Sequence, residues 1–572
     1  MPLLNVPTHP KELSVKARLL FTGLLLAAAA CSGDDNGTGP TPTPTVPTAP
    51  QNVVVQPQSS TTAQITFATV TGAATYDIER VQGATGGTFA KVGDVTVSPF
   101  NDTGLLPGTT YRYRVRGVST AGAGAFSAEV TNTTLAAGRT VVSVSGDITT
   151  NTTWVADNVY RLQGFRKVAS GATLTIQAGT RIEGDFNTVG SSLFVLRGAR
   201  IVAIGTEQFP IVLTSSRAVG TRQPGDWGGL IIVGNARINR GPPTNLEGTG
   251  TDATQNPLID YAGGTVDTDN SGELRYVRVE FAGFGPAQDA ELNSFTFAAV
   301  GSGTQFNYLE SMSGLDDSFE WFGGTADAKF LVSYEAGDDH FDMSEGFSGR
   351  LQNLIAYQSR ILTPRAGAGN VSSDPQGIEN DGCNGASCGT GQDSQPFTVP
   401  LVANFTLVGF PSTVTTPAGG ARGVVLRRGT GGYYYNGLIA RNNVSGLSIR
   451  DVATGTRATA GLLDVKNHLL LETPAIYDAS TNVTYDAAAN SIILGGVTTA
   501  SVLTTLPTAP TSGASFDWTP VAGTLPTSGG LATFTGNALT RGGTVVTGTT
   551  YRGAADPAGA KWWANWTNYA LN

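Results

Sequence analysis

The sequence predicts an all-β protein whose larger part is a solenoid, and three observations support this. Glycine contributes 74 of the 572 residues, about twice its average share, and charged residues make up only 14%. Short runs of Val, Ile, Phe and Tyr alternate with turn residues, as in β-proteins with frequent tight turns. A phrase in the middle of the chain also repeats at a regular interval, which indicates stacked structural units.

The repeated phrase begins at Asp316, where the sequence DDSFEW is answered by DDHFDM at Asp338. A period of about 22–23 residues with two short strands per unit is typical of a solenoid in which each unit is one coil. Because successive strands would pair in parallel, we expect a right-handed parallel β-helix over residues 140–475. Residues 476–572 are expected to form a C-terminal extension, with the tryptophans near its end capping the last coil.

The segment from Met1 to Cys31 has the pattern of a bacterial export signal. Three basic residues precede the apolar run 19–30, which is too short to span a bilayer. The run ends at Cys31 and resembles a lipobox, so we expect Cys31 to be acylated and to anchor the protein to the outer membrane, facing the periplasm or the cell surface. The alternative is an ordinary signal peptide without lipid. Residues 32–49, rich in Pro, Thr and Gly, are expected to be an extended tether.

Residues 50–136 resemble a fibronectin type III domain, which implies a β-sandwich. The segment LPGTTY, from Leu106 to Tyr111, is similar to the turn that leads into the tyrosine-corner strand of that family. Phe67 stands where the family usually has a core tryptophan. Domains of this family are mostly spacers, and we expect the same of this one.

The remainder of the chain carries several long motifs. They are DWGGL, SGELRYVRVEFAG, DDSFEWFGG, DDHFDMSEGFSG, DPQGIENDG, RRGTGG and the ending WWANWTNY. These motifs resemble a family of exported β-helix lipoproteins of Gram-negative bacteria with a pectate-lyase-like shape. The resemblance implies the fold, and it implies no established activity.

The repeat places acidic residues of successive coils side by side, about 4.8 Å apart. Stacked carboxylates repel one another, and hard cations such as Ca²⁺ offset this repulsion by taking six to eight oxygen ligands. The sequence therefore predicts a calcium site; the alternative is a solvated acidic face whose turn aspartates cap backbone N–H groups. We call these residues the acidic ladder: Asp316, Asp317, Glu320, Asp338, Asp339 and Asp342, with Glu345 nearby.

A second candidate calcium site lies at Asp267, Asp269 and Ser271, in the segment DTDNSGE. This segment matches the opening of a calcium-binding loop, in which Gly permits a tight turn around the ion. The twelfth position is Arg278 rather than Glu, so the closing carboxylate would have to come from elsewhere. The alternative is a polar turn without an ion.

Cys383 and Cys388 lie close together in the longest irregular loop. With Cys31 acylated, these two cysteines are the remaining pair in an oxidising compartment, and a local disulfide is expected. A metal site would need more Cys or His ligands, and the chain contains only three histidines.

The formal net charge of −9 excludes nucleic acid as a partner, because no basic stripe offsets it. The sequence favours a non-enzymatic role, in which the β-helix binds or structures an extracellular polysaccharide or surface protein. The rival is a Ca²⁺-dependent polysaccharide lyase or a glycoside hydrolase on the same scaffold. Arg427 and Arg428 could contact a ligand or supply a lyase base, or they could pair with the acidic ladder.

Overall fold

The computed structural model describes residues 45–57, 60–134, 138–287, 290–506 and 516–570. The export signal, Cys31 and most of the tether lie outside the described residues. No helix in these ranges is long and apolar enough to cross a membrane.

The first domain is a β-sandwich in which alternate side chains point inward. In its longest strand, TYRYRVRGVS, Tyr111, Tyr113 and Val115 are buried and the residues between them are partly exposed. The Tyr111 hydroxyl accepts a hydrogen bond from the Leu106 N–H at 2.9 Å, which is the tyrosine corner expected from the sequence. Phe67 is buried against Tyr76, with ring centroids 4.7 Å apart. The strands are β1 (Val54–Pro57), β2 (Thr62–Thr66), β3 (Thr75–Gln82), β4 (Ala90–Val95), β5 (Phe100–Thr103), β6 (Thr110–Ser119), β7 (Gly122–Ala123) and β8 (Val130–Thr133).

The second domain is a parallel β-helix, and the pairings between its strands are parallel. Its strands form one sheet of 17 and one of nine. They are β9 (Thr140–Val144), β10 (Thr152–Trp154), β11 (Asn158–Leu162), β12 (Phe165–Val168), β13 (Thr173–Ile176), β14 (Arg181–Gly184), β15 (Ser192–Val195), β16 (Arg200–Ile204), β17 (Ile211–Ser215), β18 (Gly229–Val233), β19 (Gly272–Glu280), β20 (Phe295–Ala298), β21 (Gln305–Met312), β22 (Phe319–Phe322), β23 (Asp327–Tyr334), β24 (Phe341–Ser344), β25 (Arg350–Tyr357), β26 (Ile378–Asp381), β27 (Leu401–Val408), β28 (Arg422–Arg427), β29 (Gly432–Tyr435), β30 (Leu438–Ala440), β31 (Ser445–Ile449), β32 (Leu463–Lys466), β33 (Leu469–Leu471) and β34 (Ile493–Gly495).

The nine-stranded sheet, in the order β12, β15, β18, β20, β22, β24, β26, β28 and β31, carries the repeated phrase. Its inward side chains stack coil upon coil. Phe295, Phe319 and Phe341 pair in register, with ring centroids 4.9 and 5.5 Å apart in nearly parallel planes. All three are fully buried in the interior of the β-helix. Replacing one such phenylalanine by alanine would cost about 3–5 kcal/mol, so this stack holds the neighbouring coils in register.

The long strands of the other sheet bend once per coil. Tyr276 in β19, Tyr308 in β21 and Phe330 in β23 have φ values of +50°, +57° and +61°. A left-handed residue inside a strand turns its direction, so each strand covers two sides of a coil. The bends at Tyr308 and Phe330 are separated by one period of the repeat read from the sequence. The side chains stack along the outside of the coils, with ring centroids 4.4 and 4.6 Å apart.

The C-terminal segment differs from the expected end cap. Trp566 packs edge-on against Tyr276 and Tyr308, at 5.6 and 6.1 Å, and Trp562 packs against Phe330 at 5.2 Å. The tryptophans therefore cover the side of the middle coils, because the bends leave an aromatic strip there. The β-helix also continues beyond residue 475, since β34 pairs in parallel with β33. The helices are α1 (Val452–Thr459), α2 (Thr499–Val502) and α3 (Gly536–Gly542), with short 3₁₀ turns at Gly391–Asp393 and Leu525–Thr527.

Candidate functional site

The acidic ladder begins with two strands whose side chains alternate between the interior and the outer face. Phe319 and Trp321 of β22 are fully buried in the interior, so Glu320 between them points the other way. Glu320 pairs in register with Asp342 of β24, as the sequence repeat predicts. Glu320 is nearly buried, with 5% of its surface exposed, whereas Asp342 is half-buried.

A third carboxylate continues this row and was missed by the sequence analysis. Glu379 of β26 pairs in register with Asp342. The interval between these two residues is longer than one period of the repeat, because a long loop separates β25 from β26. The motif DPQGIENDG, which contains Glu379, was the available signal, and the insertion hid its alignment with the ladder.

Asp317 and Asp339, the inner aspartates of two successive turns, are linked to neighbouring coils by hydrogen bonds between backbone N–H groups and side-chain oxygens. The Asp317 N–H donates to the Asn293 side chain at 3.1 Å, and the Asp339 N–H donates to Asp317 at 2.8 Å. Asp339 in turn accepts from the Gln376 N–H, and the Gln376 side chain accepts from the Arg422 N–H at 3.0 Å. Each side chain therefore caps the next coil, which is the structural role weighed as the alternative to metal binding.

The outer face of the ladder lines a cavity of about 930 Å³, which we call the acidic cavity. Residues 285–287 with Glu291, and Gly367 with residues 369–372, form its other walls. Among the described residues, its lining contains seven carboxylates and neither arginine nor lysine. The carboxylates are Glu247, Glu291, Asp316, Asp317, Glu320, Asp338 and Asp342. Glu247 and Glu291 lie outside the repeat, so periodicity could not identify them.

The carboxylates form three overlapping groups of metal-ligand geometry. In each group, one oxygen from every member lies within 4.8 Å of the others. In addition, one buried oxygen, Oδ1, of both Asp338 and Asp342 has no hydrogen-bond partner among the residues that the structure describes. A buried acceptor without a partner is costly, so these two oxygens are suited to a cation. The groups are Asp316, Asp317 and Asp338; Asp317, Glu320 and Asp342; and Asp339, Asp342 and Glu379.

Burial raises the pKa of every carboxyl in this cluster. The pKa of Asp338 rises from 3.8 to about 6, with burial as the main cause. Burial likewise raises the pKa of Asp317 and Glu320 well above the usual values, and neighbouring carboxylates raise both further. The same holds for Asp316, Asp339, Asp342 and Glu379. The cluster must therefore hold protons or a compensating cation near neutral pH.

Arg427 and Arg428 close one end of the ladder rather than facing the acidic cavity. Arg427 forms ion pairs with Asp374, Glu379 and Asp381. Arg428 also pairs with Asp381. Both guanidinium groups are thus held by carboxylates, but by Asp374, Glu379 and Asp381 and not by the members of the acidic ladder that the sequence suggested. The two residues that the sequence left open as a possible lyase base are therefore both engaged in ion pairs.

Glu345 does not join the ladder. It follows the end of β24 in a left-handed conformation, with φ of +56°, and this turn directs its side chain away from the row. Its carboxylate accepts hydrogen bonds from Arg240 and from the Tyr261 hydroxyl. The assignment of Glu345 as a metal ligand is therefore wrong, since an arginine already neutralises it.

The side chains of Asp267, Asp269 and Ser271 are not arranged around one shared position in the structure. Arg237 donates to both carboxylate oxygens of Asp267, and these hydrogen bonds lower the pKa of that carboxyl. Asp269 accepts from the Ser271 hydroxyl at 3.1 Å. None of the described groups with metal-ligand geometry includes these residues. The loop is a polar turn closed by an arginine.

Cys383 and Cys388 form the expected local disulfide, with Cα atoms 6.0 Å apart. His340, which follows the ladder aspartates, bonds through Nδ1 to the Ser333 hydroxyl inside the protein. Burial lowers the pKa of His340 to about 3, so its imidazole is neutral at physiological pH.

Comparison with known families agrees with this architecture. The sequence model of the family described as a pectate-lyase-like β-helix domain matches residues 146–519, and that of the fibronectin type III domain matches residues 48–133.

Among individual proteins, exoglucanase B of Cellulomonas fimi is 35% identical over 191 residues, which cover 33% of this chain and 15% of that enzyme. Solved structures similar to part of the chain include FN3tt (26% identity, 16% of this chain, 96% of that chain, TM-score 0.15). A fibronectin-like protein from Clostridium thermocellum is also similar, with 30% identity, 15% of this chain, 90% of that chain and a TM-score of 0.14.

Proposed function

Because this chain belongs to the family of pectate-lyase-like β-helix domains, we propose that it is a cell-envelope protein that binds or structures extracellular glycan or protein through its β-helix, with calcium held in the acidic cavity. The fibronectin type III domain serves as a spacer between the β-helix and the membrane anchor. The observation that carries the proposal is the concentration of seven carboxylates around one cavity, with no basic residue in its described lining.

The donor set of the acidic cavity fits a hard divalent cation. Calcium prefers six to eight oxygen ligands at roughly 2.3–2.6 Å. Two adjoining groups share one member and together offer five carboxylates, each of which can give one or two oxygens. Asp338 and Asp342 each offer a buried oxygen without another partner in the described part of the chain. Asp317 bonds to the next coil through one oxygen, which leaves its second oxygen for an ion. When bound, calcium would supply positive charge for hydroxyl or carboxylate oxygens of a ligand at the cavity mouth.

The membrane anchor is part of the proposal and rests on the lipobox-like sequence that ends at Cys31. Replacing Cys31 by alanine should release the protein from the membrane fraction into the periplasm or medium, because the acylated thiol is lost. Fractionation followed by immunoblotting measures this. A Cys31→Ala variant that remains in the membrane fraction like the wild type would contradict the anchor.

A glycoside hydrolase is the second candidate, and the raised pKa of Asp338 favours it. A carboxyl with a pKa of about 6 beside other carboxylates has the properties of a general acid. The similarity to a segment of an exoglucanase is consistent with a role on glycans, although the chain covers only 15% of that enzyme.

A glycan array probed with the purified protein tests the proposed function. We expect binding in calcium, loss of binding in EDTA, and loss in the double variant Asp338→Asn/Asp342→Asn. Arg428→Gln is the matched control, because Arg428 lies outside the cavity lining and should leave binding unchanged. Equal binding in calcium and EDTA would rule out the role of the cation. Release of reducing sugars from a bound glycan would favour the hydrolase over the binding protein.

A further inference from the structure

A second pocket lies on another part of the β-helix, between its coils and helix α3. Its volume is about 450 Å³, within the usual range for small-ligand sites. Helix α3 is held against the coils by Ala538, which packs in a cluster with Leu401 and Tyr435. The lining residues are Ser302, Thr325, Ser348, Arg350, Val399, Tyr433, Leu462, Asn537, Thr540 and Arg541, and none belongs to the acidic cavity.

The charge in this pocket is opposite to that in the acidic cavity. Arg350 is neutralised by Asp327, which accepts from its Nε at 2.8 Å. Arg541 donates to the Ser348 carbonyl oxygen at 3.1 Å, and no carboxylate of the described residues forms an ion pair with it. Burial, and after it the charge of Arg350, lowers the pKa of Arg541. Among the described residues, two guanidinium groups thus line the pocket, and one carboxylate, Asp327, is ion-paired with Arg350 and its charge also acts on Arg541.

Hydroxyl groups line the pocket beside these guanidinium groups. Ser302, Thr325 and Ser348 occupy equivalent positions of successive coils and recur at the spacing of the repeat. The exposed side chain of Thr540, on α3, adds another hydroxyl from the opposite wall. A planar guanidinium binds carboxylate and sulfate oxygens through paired N–H groups. The hydroxyls of Ser302 and Thr325 donate to the Asp267 carbonyl oxygen, and that of Thr540 donates to the Gly536 carbonyl oxygen. These three hydroxyls can therefore accept hydrogen bonds from a polyhydroxylated ligand.

We propose that this pocket is a second binding site, which takes the oxyanion group, carboxylate or sulfate, of a small polyhydroxylated ligand, with Arg541 as the principal anion-binding residue. The site is independent of the acidic cavity and of any cation there. Tyr433 is already engaged, because its hydroxyl donates to the Gly461 carbonyl oxygen at 3.1 Å, so it shapes the wall of the pocket.

Isothermal titration calorimetry at low ionic strength tests this site, with gluconate, glucose 6-sulfate and glucose as probes and EDTA present throughout. We expect at least one anionic probe to bind about tenfold or more tightly than glucose, because a hydrogen bond to a charged group contributes that much. Arg541→Gln should weaken that binding by a similar factor. The carboxylate and sulfate arms show which oxyanion the pocket prefers.

Two further variants test whether the probes bind in this pocket, even if Arg541→Gln perturbs the fold. Thr540→Trp would fill the pocket from an exposed position and should abolish binding. Leu539→Trp, at the neighbouring residue of α3, is the matched control, because Leu539 is 55% exposed and does not line the pocket. Binding that is equal for glucose and both anions, absent for all probes, or undiminished in Thr540→Trp would overturn the proposal.

Discussion

At the scale of single residues, Asp317 and Asp339 combine two roles. Each side chain accepts a hydrogen bond from a backbone N–H of the next coil. A neutral amide can do the same, because the Asn293 side chain accepts the equivalent hydrogen bond one coil earlier. Capping the coils therefore needs an oxygen and not a charge. The charge of Asp317, which lines the acidic cavity, has a role only if that cavity receives a cation, because burial otherwise makes ionisation unfavourable.

This division of roles predicts different outcomes for two substitutions of Asp317. Asp317→Asn should leave the free energy of unfolding in EDTA unchanged or slightly higher, because the acceptor remains and the buried charge is gone. Asp317→Ala should lower it by about 1–3 kcal/mol, because the buried Asp339 N–H loses its partner. Urea denaturation of both variants measures this. Equal destabilisation by the two would refute the capping role.

The positions of the individual carboxylates were only partly predictable from the sequence. Glu320 and Asp342 were, because the chain between β22 and β24 keeps the period of the repeat. Glu379 was not, because an insertion before its strand breaks that period. Glu345 was assigned wrongly, because sequence proximity does not reveal the left-handed turn that separates it from the row.

At the scale of elements, the nine-stranded sheet places an acidic row and an arginine on the same face. Glu379 lies on β26, and Arg427 ends the neighbouring strand β28. In register, Asp381 pairs with Arg427, so the coil after the acidic row supplies the compensating charge. The alternation of inward and outward side chains within short strands was predictable from the sequence. The residue that pairs with each side chain across an irregular loop was not.

Arg427 and Arg428 should therefore differ in their effect on stability. Arg427→Gln should lower the free energy of unfolding in EDTA by about 3–5 kcal/mol, because it leaves buried carboxylates without a cation. Arg428→Gln should lower the free energy of unfolding by less than about 1 kcal/mol. The reason is that the Arg428 side chain is 37% exposed, against 18% for Arg427. Chemical denaturation of the two variants compares them. Equal costs would be incompatible with Arg427 as the counterion of the row.

At the scale of the whole molecule, the sequence predicted the two domains and their order, because alternation and the repeat period are local properties of the chain. The path of the C-terminal segment was not predictable. Its tryptophans pack on Tyr276, Tyr308 and Phe330, which lie far away in the sequence, near the middle of the chain. Only the left-handed bends of the long strands bring this aromatic strip to the surface.

The raised pKa values of the carboxyls that line the acidic cavity predict how stability depends on pH. A carboxyl whose pKa is higher in the folded protein binds its proton more tightly there, so its contribution is present at low pH and is lost as pH rises through the folded pKa. For Asp338 this window runs from about pH 4 to about pH 6. In EDTA, the melting temperature should therefore fall between pH 4.5 and 7, and calcium should reduce the fall. A melting temperature that rises over this range in EDTA would show that the cluster does not bind protons as described.

The most direct measurement is a thermal melt with calcium or EDTA at pH 7, for the wild type, Asp338→Asn/Asp342→Asn and Asp267→Asn. Calcium at a hundredfold excess over Kd should stabilise the wild type by about 2.7 kcal/mol. The double variant should lose most of this gain. Asp267→Asn should keep it, because Asp267 pairs with Arg237 away from the cavity. Identical wild-type melts in calcium and in EDTA would contradict the central claim that the acidic cavity holds a cation.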